Sequence, residues 1–233
     1  MKLTEIRFAE LKEDIEEQKE FHKKGLERIR KYYSLPENER EEKTGLKDPP
    51  HEILMKRASN LISLGLESLE KRQYIDEEPI DYILIGVGTE LLLKAIILKE
   101  DPEWFIGEIE KNKDKEKTPP FKKCSEKLTK LLPATFTQKQ KERIKDVFDL
   151  IRQKRNNLVH IGFHQMYHYR EDYQIAHVLE FLFSYFFGRK AEKIVEILKK
   201  FKEKRKVVSG IDYEDVEFLE GEMPEEKEGK VRE

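Results

Sequence analysis

The chain has 233 residues, enough to bury a hydrophobic core, and this length favours one domain with appendages. Charged residues make up 40% of the chain but the formal net charge is only −2, which argues against a histone-like binder of polyanions. The single cysteine, Cys124, excludes an intrachain disulfide and a cysteine-based zinc site, and the absence of a signal-peptide pattern or a membrane-length apolar run predicts a soluble, cytoplasmic protein that does not bind membranes.

The first predicted element is a long, mostly solvated helix over residues 3–33, where apolar residues recur at helical spacing among many lysines and glutamates. These two residue types dominate the whole chain over Asn, Gln and Cys, a pattern common in proteins from hot environments. Residues 34–50 carry Pro, Gly, Asn and charge, and are predicted to form a loop that marks a domain boundary. Residues 1–50 are therefore interpreted as an N-terminal helix and a charged linker.

The next region, residues 51–206, is predicted to be a helical bundle. Its second helical pattern is apolar on nearly all sides, which marks a central helix, and Gly86 and Gly88 in it indicate close helix packing. Trp104 and Phe105 are expected to cap the bundle, and residues 111–120 are expected to form a charged loop. The sequence thus predicts an all-α, antiparallel bundle of about six helices. The helical patterns cover residues 51–73, 79–99, 121–132, 138–160, 172–187 and 189–206.

One arginine in the helix predicted over residues 138–160 breaks the pattern, because Arg155 falls inside the apolar stripe. A charge taken out of water and left unpaired costs several kcal/mol or more, so Arg155 needs a carboxylate or an anion. On one flank of the stripe, Asp149, Asn156 and His160 lie within about 40° of one another. The apolar residues of the stripe are Ile144, Val147, Phe148, Ile151, Leu158 and Val159.

Glu90 is unusual in so apolar a helix, and two interpretations of it remain open. In the first, Glu90 and Lys94 form an i, i+4 pair on the one exposed face of the helix, which stabilises it by a few tenths of a kcal/mol. In the second, Glu90 is the carboxylate partner of Arg155.

Two stretches of the chain resemble the HEPN superfamily. Arg155-Asn156-Asn157-Leu158-Val159-His160 is similar to its R-x-x-x-x-H signature, including the polar residue that usually follows the arginine. Gly88-Thr89-Glu90-Leu91-Leu92-Leu93-Lys94-Ala95 resembles the acidic position and following lysine of an earlier core helix in many HEPN domains. The resemblance covers about residues 51–190 and implies an all-α bundle with the motif near the end of a long helix.

The resemblance further implies a metal-independent endoribonuclease that needs no cofactor and works as a homodimer. Cleavage without a metal requires deprotonation of a ribose 2′-OH, protonation of the departing 5′-oxygen and positive charge on the phosphate. By resemblance, His160 is assigned the role of general acid or base and Arg155 that of binding the phosphate. Asn156 is assigned to orienting His160 or contacting the RNA backbone. Arg155 and His160 are about 140° apart on an ideal helix, so they do not readily contact the same phosphate. A cleft shared across a two-fold axis, or unwinding of the helix toward Gly162, would bring both residues to it.

Other interpretations of the motif are weighed beside this one. Arg155 and His160 are also suited to tying the helix to its neighbours, and some HEPN domains bind nucleotides or RNA, or dimerise, without cutting. A metal site at His160, His164 and His168, which are spaced by four, is disfavoured because Gly162 interrupts the helix. The family often serves stress response or antiviral defence, so a toxin with a cognate antitoxin or regulatory protein is one expected form, acting on single-stranded or tRNA-like RNA.

The ends of the bundle carry weaker signals for RNA. Tyr167 is suited either to stacking on an unpaired base or to closing the core. Lys199 and Lys200 belong to a basic helix end that either attracts phosphates or is simply solvated. Beyond it, residues 207–233 form an acidic tail predicted to be disordered, because residues 211–226 hold eight acids and no base. Such a tail can fold back on the basic helix end and compete weakly with RNA.

Overall fold

The computed structural model describes residue 20 and residues 23–71, 80–111, 118–161 and 169–209, except the side chains of 157–161, 169 and 207–209. Throughout this part of the chain the regular structure is helical and no strand is present, which confirms the predicted all-α class. We number the helices from the one that includes residues 23–34 (α1). The others are α2 (Arg40–Thr44), α3 (Pro50–Lys71), α4 (Ile80–Glu100), α5 (Pro102–Lys111), α6 (Phe121–Leu131), α7 (Gln138–Ile161), α8 (Tyr169–Phe187) and α9 (Glu192–Ser209), with 3₁₀ turns at Glu37–Glu39 and Gly188–Ala191.

The predicted count of about six helices is not confirmed, because the described residues also contain α2 and α5. Helix α2 lies inside the predicted loop and ends at Gly45, whose φ of 69° is a left-handed conformation that favours glycine. Helix α5 starts where only a cap of the bundle was expected. Asp101 accepts a hydrogen bond from the backbone of Trp104 at 3.0 Å, and Pro102 occupies the first helical position.

Helix α4 is the centre of the bundle, as its apolar sequence predicted. It packs against α3, α5, α6 and α7, while α8 packs against α9. Its second half is almost wholly buried: residues 92, 93 and 95–98 have no exposed surface. A helix enclosed on several sides shows little amphipathicity, because most of its faces meet other helices.

The two glycines of α4 serve close packing, which confirms that prediction in two different ways. A Cβ atom on Gly88 would lie 2.7 Å from Ile62 Cγ1, so α3 and α4 approach too closely for any side chain there. Gly65 of α3 makes the equivalent approach to Ile85, 2.7 Å from its Cγ1 atom. Because Gly65 meets the start of α4 and Gly88 meets the middle of α3, the two helices are antiparallel. Gly86 faces Arg155 of α7 instead.

The described part of the first 50 residues packs on the bundle. Leu26 belongs to the same buried core as α3 and α4, and Tyr33 and His51 share a hydrogen bond of 2.8 Å between the hydroxyl oxygen and Nδ1. The boundary placed at residue 50 stays a prediction, and the acidic tail from residue 210 lies outside the described residues. In the part of the chain described, no helix combines the length and hydropathy needed to cross a bilayer.

Candidate functional site

The arginine of the R-x-x-x-x-H motif forms an ion pair with the acid of α4. Arg155 Nη1 donates to Glu90 Oε2 at 2.9 Å, and the two side chains are 22% and 24% exposed. The predicted contact between these residues is therefore present, and it supplies the carboxylate that an arginine in an apolar stripe requires. The pair joins α4 to α7 at positions 65 residues apart in sequence.

Gly86 makes room for this arginine. A Cβ atom at position 86 would lie 2.9 Å from Arg155 Cδ and 3.0 Å from its Cβ, so the aliphatic stem of the arginine lies against the bare backbone of α4. Phe121, at the start of α6, lies beneath the guanidinium with its ring centroid 5.8 Å from Cζ. The arginine is thus fixed from two sides before any ligand binds.

Lys94 binds the same carboxylate from one turn further along α4. Its Nζ donates to Glu90 Oε1 at 2.7 Å and to Thr118 Oγ1 at 2.9 Å. Both contacts that the two interpretations of Glu90 require are therefore present, because one carboxylate oxygen binds Lys94 and the other binds Arg155. The expectation of an exposed face is wrong, however, because the Lys94 side chain is only 11% exposed and Thr118 covers it.

Opposing effects act on the pKa of Glu90. Burial acts to raise it, but hydrogen bonds and charge from Lys94 and then Arg155 outweigh burial, and the net result is a pKa below the ordinary 4.5. Glu90 is therefore ionised at neutral pH. A lowered pKa in the folded state means that this carboxylate contributes stability above pH 4.5, and that the contribution is lost as pH falls through the folded value.

Replacing this carboxylate should have a pH-dependent cost. We expect Glu90→Gln to lower the free energy of unfolding by about 2 kcal/mol at pH 7, because two largely buried cations lose their shared partner. Below pH 4.5 the difference between wild type and variant should shrink. Urea unfolding at several pH values measures the loss at pH 7 and its decrease at low pH. Glu67→Gln is the control, because Glu67 pairs with Lys71 at an exposed position and its replacement should change stability little. A pH-independent difference would contradict the role of the ionised carboxylate.

Two other predicted site residues differ in whether they contact Arg155. Asn156 is close to the arginine: its Oδ1 lies 3.4 Å from both Nε and Nη2 of Arg155, which makes these hydrogen bonds long and weak. Asp149 is bound by Arg152 instead, at 3.1 Å between Oδ1 and Nη2. The structure therefore brings Asn156 to the ion pair but gives Asp149 a separate partner.

The motif histidine lies at the end of the described helix. The backbone of α7 remains helical through Ile161, so the helix does not unwind before His160. Unwinding before Ile161 therefore does not bring Arg155 and His160 to one phosphate, and the shared cleft stays a prediction. The side chain of His160 and all of Tyr167 lie outside the described residues, and their roles stay predictions.

The remaining site predictions lie away from the ion pair or outside the described residues. Lys199 and Lys200 are exposed on α9, which packs against α8 and α3, whereas the ion pair lies between α4, α6 and α7. His164 and His168 of the alternative metal site are not described. Within the described ranges, no three His, Cys, Asp or Glu side chains are placed to hold a metal ion.

A second group of charges, which sequence reasoning missed, lies one residue before the motif. Lys154 binds Glu171 of α8 at 2.6 Å, and its Nζ lies 4.5 Å from the centroid of the Tyr82 ring. The Tyr82 hydroxyl in turn donates to Asp172, whose carboxylate lies 3.6 Å from Arg205 Nη2. These contacts fix the end of α7 and the start of α8 to α4 and α9, so they hold in place the helix that carries the motif.

Comparisons with protein-family models, with curated proteins and with solved structures found no match to this chain. The resemblance to the HEPN superfamily therefore rests on the two sequence stretches and on their helical setting.

Proposed function

We propose that this chain is a metal-independent endoribonuclease of the HEPN type, with a composite active site at a homodimer interface. The observation that supports it most is the arginine of the motif: its stem lies against Gly86, Glu90 binds its guanidinium, and its side chain is still 22% exposed. Enzymes fix cationic groups in this way so that no reorganisation is needed when charge develops on a phosphate.

The proposed chemistry uses two groups of the motif. One imidazole removes the proton of a ribose 2′-OH, whose oxygen attacks the adjacent phosphorus, and an imidazole returns a proton to the departing 5′-oxygen. The products are a 2′,3′-cyclic phosphate and a 5′-hydroxyl. Arg155 binds the phosphate oxygens as they gain negative charge, while Asn156 orients His160 or contacts the backbone. Histidine suits both proton transfers because its ordinary pKa of about 6.5 is close to neutral pH.

Dimer formation is supported by an apolar stripe that α4 leaves exposed. Its residues recur with spacings of four, three and four, which is the pattern of a helix that packs against another helix. Ile80 is 54% exposed and Val87 is 39% exposed, and Leu64 on the neighbouring α3 is 53% exposed. Val87 and Glu90 are three residues apart and so are neighbours on the helix surface, which brings the stripe to the edge of the candidate site. The stripe consists of Ile80 and Val87, which are exposed, and Leu84 and Leu91, which are half-buried.

A charge placed in the stripe should separate the subunits. We expect Val87→Asp to shift the protein from dimer to monomer at micromolar concentration and to lower RNA cleavage at least about tenfold, since a buried unpaired carboxylate costs several kcal/mol. Light scattering measures the mass, and Ala134→Asp, at an exposed turn between α6 and α7, is the matched control. A wild-type monomer at that concentration would contradict the dimer.

A non-catalytic dimerisation or RNA-binding module is the second candidate. The observation that favours it is the ion pair itself, because Glu90 already neutralises Arg155 and ties α7 to α4. The two candidates differ in one outcome: both allow RNA to bind, but only the nuclease leaves a cyclic phosphate on its product. A role in defence or stress response, with a cognate antitoxin, belongs to the first proposal and rests on the family resemblance.

A further inference from the structure

The charges around Glu90 are not balanced. Arg155 and Lys94 each carry one positive charge, and both bind this single carboxylate, at 2.9 Å and 2.7 Å. Their other described partners are neutral: Asn156 for the arginine and Thr118 for the lysine. Among the described residues, the cluster therefore holds one positive charge in excess.

The surroundings of this excess charge screen it poorly. The Arg155 and Lys94 side chains are only 22% and 11% exposed, and the guanidinium lies over the ring of Phe121. Burial raises the pKa of the nearby Cys124 thiol to about 12, so the thiol stays neutral and supplies no counter-charge. A positive charge with little access to water favours a bound anion.

The hydrogen-bond donors that remain suit an anion with several oxygens. An ammonium has three N–H donors, and Lys94 uses two of them, for Glu90 and Thr118. The Thr118 hydroxyl accepts from this lysine and keeps its own hydrogen to donate. In the part of the chain that the structure describes, Arg155 Nη2 has one hydrogen-bond partner, Asn156, at a long 3.4 Å. Three different groups thus retain donors around one carboxylate.

We infer that Lys94, Thr118 and Arg155 form a phosphate-binding subsite, in which Glu90 holds the two cations in position. Thr118 is the new member: it lies in the segment before α6, and its hydroxyl is 2.9 Å from Lys94 Nζ. The identification of this phosphate as part of an RNA backbone rests on the proposed function. In that setting Arg155 binds the phosphate that is cleaved, and Lys94 and Thr118 extend the subsite to the next phosphate along the chain. This extension helps to select a polyanionic chain over a single nucleotide.

The test uses inorganic phosphate as the probe and calorimetric titration of the full chain at low salt. Lys94→Met removes the excess charge and leaves Glu90 paired with Arg155, and Thr118→Val removes only the hydroxyl. Lys127→Met is the matched control, because Lys127 is a largely buried lysine paired one to one with Asp101 at 2.5 Å. Circular dichroism checks that each variant is folded.

Wild type and Lys127→Met should bind phosphate alike, Lys94→Met should bind it at least about tenfold more weakly, and Thr118→Val several-fold more weakly. The subsite would be overturned if wild type, Lys94→Met and Thr118→Val bound phosphate with equal affinity. It would also be overturned if Lys127→Met lost as much phosphate affinity as Lys94→Met. A 2′-O-methyl RNA, which cannot be cleaved, should compete with phosphate, and failure to compete would overturn its assignment to an RNA backbone. Phosphate binding with this specificity but without RNA cleavage would support the subsite while refuting the proposed nuclease.

Discussion

Arg155→Lys should fold like the wild type and cleave RNA at least about 100-fold more slowly. Lysine keeps the positive charge and can still bind Glu90, so the link between α4 and α7 is preserved. An ammonium lacks the planar fork of donors with which a guanidinium binds two phosphate oxygens at once. Removing one well-placed donor to a developing charge typically costs about 10²–10³ in rate.

The matched control for this substitution is Arg152→Lys, one turn earlier on α7. Arg152 binds Asp149 at a more exposed position and has no assigned role in the chemistry. Initial cleavage rates are measured on a labelled RNA at equal protein concentrations. Unfolding curves of both variants then show whether a lower rate reflects a loss of catalysis or a loss of stability. Equal rates for Arg155→Lys and wild type would show that the guanidinium contributes only a charge to the helix pair.

Asp172→Ala should cause the largest loss of stability, about 3 kcal/mol. This carboxylate is 2% exposed, accepts a hydrogen bond from the Tyr82 hydroxyl and lies 3.6 Å from Arg205 Nη2. Burial raises the pKa of Asp172, although the Tyr82 hydrogen bond and the charge of Arg205 act to lower it. Removing one member of a buried charged group usually costs about 3–5 kcal/mol, because its partners remain buried.

Urea unfolding measures this loss as a lower midpoint with an unchanged slope. Tyr82→Phe deletes only the hydroxyl and should cost less than Asp172→Ala. Asp146→Ala, which removes an exposed carboxylate of α7, should change stability by no more than about 0.5 kcal/mol. A loss no larger for Asp172→Ala than for Asp146→Ala would show that the buried charges do not hold the helix ends together.

The features predicted well from the sequence are those with a local signal. The motif helix was expected over residues 138–160 and spans Gln138–Ile161, because its apolar residues recur at helical spacing without Pro or Gly. The cost of an unpaired charge in an apolar stripe predicts an anionic partner for Arg155, and Glu90 is that partner in one of the two interpretations that the sequence leaves open. The close approach at Gly88 followed from the penalty of glycine inside a helix.

The features that sequence reasoning missed depend on which elements meet in space. One of the two interpretations of Glu90 places Lys94 on an exposed face, because it follows Glu90 by four residues, but Thr118 contacts it and its side chain is buried. Thr118 contacts Lys94 across 24 residues, and no periodic pattern reports a contact of that kind. Helix α5 is different, because the Asp101-Pro102 pair at its start is a helix-start signal that is visible in the sequence.

The most direct test of the proposed nuclease is the product that it leaves on RNA. Labelled RNA is incubated with the full chain in excess EDTA, and the new ends are identified by mass spectrometry. We expect cleavage that leaves a 2′,3′-cyclic phosphate and a 5′-hydroxyl, and none with His160→Ala at the same protein concentration. Cleavage that requires a divalent ion, or that persists in His160→Ala, would contradict the mechanism.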